Sequence, residues 1–271
     1  MLFCSSTCAS GDSTVKSIVS LSLGVAAIVL GAVSPLLAQL SLYDDFEVTA
    51  INENRWVVDA MGGTGAQVTL ADGAIRLDLT SSSAGKYARL AFARPVRLTD
   101  DAPALRLTWD MNVLTSGLSG AKSYFNGLSI GVSKDTYVAV GQTGNNPEFA
   151  YQFFTRSQAN QSAQLDGVNH GHGSDLFHYD YTVSPDRQTL KVYAVNPQWA
   201  STPQKYESAT PLWTRETSFF LPMDRDLQVI FYVELKDGVD STSRRSVVTL
   251  DSIYSTFRPD AAKPAGVMVD R

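Results

Sequence analysis

Hydrophobic and polar residues alternate through most of the chain, and the clearest stretch runs from Leu176 to Ala194. Phe177, Tyr179, Tyr181 and Val183 alternate with His178, Asp180 and Thr182. After Ser184-Pro-Asp-Arg187, Leu190, Val192 and Ala194 alternate with Lys191, Tyr193 and Val195. A period of two means one buried and one open face. Proline suits the second position of a type I turn and Asp186 can hydrogen-bond the local backbone, so the stretch predicts a β-hairpin.

The same period predicts strands elsewhere. Ile75, Leu77 and Leu79 alternate with Arg76, Asp78 and Thr80, and Leu105, Leu107, Trp109, Met111 and Val113 alternate with Arg106, Thr108, Asp110 and Asn112. Leu128 to Val132, Thr136 to Val140, Phe149 to Phe153, Leu227 to Leu235 and Val247 to Phe257 extend the series. Asn145-Asn146-Pro147 predicts a break between strands. Two long connections remain, a polar one over Ser157–Ser174 and one over Asn196–Arg215 that carries Trp199, Tyr206 and Trp213. Long loops on a β scaffold are often binding loops or lids. Ten to twelve strands with almost no helical periodicity predict an all-β fold, a two-sheet antiparallel jelly-roll sandwich, with the first and last strands together.

Composition narrows the partners. The 271 residues are 44% hydrophobic, enough for one large core. A formal charge of -5 without a run of Lys or Arg argues against nucleic acid. Both cysteines, Cys4 and Cys8, precede an apolar stretch from about Ile18 to Ala38 that follows Lys16. This predicts a secretory signal over 1–38 cleaved after Ala38, with an uncleaved anchor as the alternative, and no membrane insertion once the signal is removed. The domain then runs from 42 to 258, and 259–271 reads as a frayed tail.

Several residues can carry chemistry. Glu148 and Glu234 occupy the polar phase of apolar strands, as an acid/base pair for glycoside cleavage requires; two solvated strand-end glutamates are the alternative. His178, beside Asp180 on the open phase of the hairpin, can orient a sugar or serve as an acid/base group. His170-Gly-His172 lacks zinc-site spacing. Trp199 and Trp213 offer the flat apolar rim on which a sugar's C–H face rests, while Trp56 and Trp109 read as core. By phase, Asp110, Asn112, Gln152, Tyr232 and Glu234 are expected to converge on one groove.

Asp44-Asp45-Phe46 followed by Arg55-Trp56, then Phe177-His-Tyr-Asp-Tyr leading through Pro185-Asp186 to Leu190-Lys-Val-Tyr193, and the closing Val248-Thr-Leu-Asp-Ser-Ile253 resemble the concanavalin A-like lectin/glucanase superfamily. The resemblance spans about Tyr43 to Phe257 and implies a jelly roll that binds saccharide in lectins, hydrolases or lyases. The Glu-x-Asp-x-x-Glu string of laminarinase-like hydrolases is absent, as are the Arg-Thr/Ser-Glu and Gln-Ile/Val-His strings of alginate lyases. The resemblance also implies a structural calcium ion joining the first and last strands, with Asp45, Glu47 and Asp251 as ligands. The leading expectation is a secreted, periplasmic or cell-surface protein that binds a glycan. A polysaccharide hydrolase or lyase and a structural or adhesion module are the alternatives.

Overall fold

Strand-forming residues arrange in two antiparallel sheets in a computed structural model. It describes residues 39–258 apart from 82–84, 117–123, 134–135, 146–147, 158–159, 167–175, 200–201, 219–220 and 236–243. Within described strands the side chains of 115–116, 124–125, 136, 141–145, 148–157, 160–166, 217 and 244 are also outside the description. The expected signal and tail, His170 and His172 lie outside the described residues.

The strands are β1 (Ser41–Asp44), β2 (Trp56–Met61), β3 (Ala66–Ala71), β4 (Ala74–Ser81) and β5 (Tyr87–Phe92). Then come β6 (Leu105–Ser116), β7 (Tyr124–Ser133), β8 (Thr136–Asn145), β9 (Glu148–Ser157) and β10 (Asn160–Asp166). The remainder are β11 (Leu176–Val183), β12 (Arg187–Ala194), β13 (Trp213–Ser218), β14 (Gln228–Leu235) and β15 (Arg244–Ser255). One sheet has the order β13-β12-β11-β6-β15-β4-β3, with β1 on β15 as its eighth strand; the seven-stranded sheet has the order β10-β9-β8-β7-β14-β5-β2.

The hairpin forms as its pattern predicts, with Phe177 opposite Ala194 and Val183 opposite Gln188. Ser41 opposite Ser255 brings the first and last strands together. Two expectations change. The polar Ser157–Ser174 stretch contains β10, paired with β9, because an edge strand needs no apolar face. Asn145 pairs with Glu148, so the expected break is a hairpin joining β8 to β9.

Residues of the apolar phase meet between the sheets. Trp109 of β6 stacks on Tyr179 of β11 with centroids 5.2 Å apart and meets Phe231 of β14 edge-on at 5.5 Å. Trp56 is also buried in this core, as expected. Asp44 explains part of the opening motif: its Oδ2 accepts from Trp56 Nε1 at 2.6 Å, and its Oδ1 accepts from the Phe46 amide at 3.0 Å. Phe46 sits at φ 57°, a left-handed turn that this Asp44 bond helps hold.

Candidate functional site

The outward phase of the eight-stranded sheet carries a polar cluster. β6 places Asp110 opposite Asp251 of β15 on one side and His178 of β11 on the other, and His178 faces Tyr193 of β12. One turn of the pleat away, Thr108 faces Asp180, and Asp180 faces Lys191. Alternation that buries Trp109 and Tyr179 inside necessarily turns Asp110 and His178 outward.

Outward does not mean exposed here. His178 is only 3% exposed, a departure from its expected place on an open face. The connection between β12 and β13 folds back as two short 3-10 helices, Pro197–Trp199 and Pro203–Ser208. Tyr206 of the second stacks on the His178 ring at 3.7 Å with planes 6° apart, and Trp199 meets Tyr206 edge-on at 5.0 Å. The Tyr206 hydroxyl accepts from the Asn196 amide at 2.8 Å, which fixes the helix over the sheet. Beneath it, His178 Nδ1 lies 2.6 Å from Asp110 Oδ1, and His178 Nε2 is buried without a hydrogen-bond partner.

Arg106 organises the neighbouring polar surface. Its Nε and Nη2 donate to the two oxygens of Asp180 at 2.9 and 2.8 Å, and its Nη1 donates to Glu207 at 2.6 Å. Burial works against the guanidinium charge, but the bonds and attraction of Asp180 and then Glu207 outweigh it and raise its pKa above the ordinary value. These residues border a pocket of about 610 Å³, lined also by Thr182, Thr189, Lys191, Gln204 and the entering Gln39–Leu40. Its charged groups balance, with two cations against two carboxylates.

The expected site residues divide between the sheets. Asp110, Asn112, His178, Asp180 and Asp251 lie on the eight-stranded sheet, with Trp199 above it. Tyr232 and Glu234 of β14, and Glu148 and Gln152 of β9, belong to the seven-stranded sheet. The single groove expected from Asp110, Asn112, Gln152, Tyr232 and Glu234 is therefore not formed, because the core separates the two outward faces. β7 and β8 also stand between β9 and β14. Three strand spacings of about 4.8 Å separate Glu148 from Glu234 by about 14 Å, beyond the roughly 5 to 9.5 Å of glycosidase pairs. The structure does not bring them together.

On the seven-stranded sheet, Arg89 lies 3.5 Å from the Tyr87 ring centroid, and its Nη2 is 4.0 Å from Glu234. Tyr232 is 6% exposed and packs with Tyr137, Ala139 and Ile230. Trp213 packs partly buried against the core instead of standing as a free rim. For the calcium ligands, Asp45 Oδ1 accepts from the Glu47 amide at 3.3 Å and Asp251 accepts from the Ser252 hydroxyl at 3.0 Å. Among the described residues no three His, Cys, Asp or Glu side chains stand together as a metal-ligand group.

Arg106, Glu207, Lys191 and Tyr193 enter the site without having been singled out. Arg106 and Lys191 occupy the outward phase, and that phase was the available signal. Glu207 comes from a connection whose path the β period does not encode.

No protein-family model matches the chain, and no curated protein matches it in sequence. Solved structures resemble it in shape. The alginate lyase from Klebsiella pneumoniae superposes with a TM-score of 0.53 at 7% identity, covering 79% of this chain and 98% of that one. Lectin II from Ulex europaeus gives 0.44 at 11% identity, over 74% and 92%. The CBM2 module of the Lactobacillus casei BL23 phage J-1 evolved Dit gives 0.46 at 9%, over 77% and 93%. Identity this low carries the fold alone. Among the described residues no helix is long and apolar enough to cross a membrane. The chain has a two-sheet antiparallel β-sandwich fold of jelly-roll type.

Proposed function

We propose that this is a secreted carbohydrate-binding β-sandwich protein that recognises an extracellular or cell-wall glycan through the pocket beside Arg106. The observation that carries the reading is the pocket itself. Its volume of about 610 Å³ falls within the roughly 300–1,000 Å³ of small-ligand sites. Its lining offers two carboxylates, a lysine, two threonine hydroxyls and two side-chain amides, the donor and acceptor mixture that a polyhydroxyl ligand needs. The balanced charges suit a neutral sugar. Arg106 holds Asp180 and Glu207 in place before a ligand arrives, which lowers the ordering cost of binding.

A glycan array followed by calorimetry tests this. Wild-type protein is expected to bind a defined glycan, and Lys191→Ala and Gln204→Ala each to weaken it about tenfold or more without loss of fold. No bound glycan, or unchanged affinity in both variants, overturns the reading. A polysaccharide hydrolase or lyase is the second reading, favoured by the two carboxylates, Asp180 and Glu207, that line the same pocket. New reducing ends or unsaturated sugars in the same incubations would support it. A structural module is the outcome if no glycan is bound or altered.

A further inference from the structure

Residues of the Pro203–Ser208 helix line two pockets. Gln204 and Glu207 face the polar pocket described above, whereas Tyr206 lines a second one of about 450 Å³. β12 runs beneath both: Lys191 lines the first and Tyr193 the second. Successive residues on one face of a strand are about 6.6 Å apart, so one ligand of disaccharide length can reach both pockets.

The second pocket differs in chemistry. No charged residue lines it, and its walls include Trp199, Pro197, Ala194 and Leu212. Leu212 is 51% exposed. The Tyr206 ring already stacks on His178 and takes the Trp199 edge, so it is not a free cage for a cation. Asn196, Thr210 and two tyrosines also line the pocket, and an alkyl or aryl group laid between Trp199 and Leu212 would desolvate no charge there.

We infer that the ligand is a saccharide bearing an apolar substituent, an alkyl, acyl or aryl group, which seats between Trp199 and Leu212 while the sugar occupies the polar pocket. This rests on the saccharide reading of the polar pocket. The occupant follows from adjacency: a pocket lined by charged groups and one lined by none share a strand and a helix, and an amphiphilic glycoside matches both.

Calorimetry with the methyl, butyl and hexyl glycosides of the sugar selected on the array tests the inference. Affinity is expected to rise about fourfold for each added methylene until the pocket is filled. Leu212→Ser and Trp199→Ala should flatten that series and leave the methyl glycoside's affinity within about twofold. Leu212 is exposed, so its variant keeps the fold even if the Trp199 variant does not. A methyl glycoside that binds in a Lys191-dependent manner with no chain-length dependence overturns this inference and leaves the saccharide reading standing. Failure of every glycoside, methyl included, overturns both. A concentration-dependent dimer abolished by Leu212→Ser would show that a second copy occupies the pocket, and would overturn the inference as well.

Discussion

His178 Nδ1 and Asp110 Oδ1 approach to 2.6 Å beneath the Tyr206 ring, joining β11 and β6 on the outward side of the sheet. Both side chains are nearly sealed, so removing one leaves the other without its partner away from water. His178→Ala is expected to destabilise the fold by about 2–4 kcal/mol, from the lost bond and the cavity under Tyr206. Urea unfolding measures this. A loss below about 0.5 kcal/mol would show that the contact contributes little.

Two carboxyls should respond oppositely to pH. Burial, reinforced by the Asp110 and Glu47 charges, raises the Asp251 carboxyl above its ordinary value despite its Ser252 bonds. Its contribution to stability is therefore present below the unfolded value and lost as pH rises through the folded one. The Arg245 hydrogen bond, helped by Arg76, lowers Asp78 against the opposing effect of burial. That contribution is present above the unfolded value and lost as pH falls through the folded one. Asp251→Asn should be more stable than wild type at pH 7, with the gain shrinking in acid. Asp78→Asn should be less stable at pH 7, with the deficit shrinking in acid. Unfolding curves at pH 3, 5 and 7 compare them, and parallel profiles would contradict both assignments.

Tyr232 belongs to a packed cluster, so its truncation acts on stability before it acts on any ligand. Tyr232→Ala is expected to cost about 3–4 kcal/mol. Thermal melting checks this. A variant that melts with wild type would return Tyr232 to the role of a surface contact.

Calcium separates the family expectation from the arrangement of carboxylates. An ion bound only to the native state at 100 times its Kd stabilises it by about 2.7 kcal/mol. If Asp45, Glu47 and Asp251 hold such an ion, wild-type protein should melt at a higher temperature in calcium than in chelator, and equal melting in both would overturn the site. A calcium-dependent rise that Asp251→Ala removes would establish the ion.

The period of two was enough for the core, because Trp109, Tyr179 and Phe231 each sit on long alternating strands. It was not enough for β2 and β10, the two edges of the seven-stranded sheet, where pairing on one side only relaxes the demand for a buried face. Asp110, His178 and Asp180 were legible as outward residues, and the sheet does set them side by side. Phase cannot say which sheet a strand joins. That is why Tyr232 and Glu234 were grouped with Asp110, and why the cover that Tyr206 gives His178 was not foreseen. The cover comes from a connection with no periodicity to read.

The chain reaches β1 along the wall of the polar pocket, since Gln39 and Leu40 are part of its lining. An affinity tag or fusion joined ahead of Gln39 would therefore emerge at the pocket's mouth and compete with whatever binds there. A chain that starts at Gln39 instead presents an α-ammonium at the same place, adding a cation to a lining whose charges otherwise balance. Affinities are comparable only between preparations that share one N-terminus, and the start of the chain is itself a means of tuning which ligands enter.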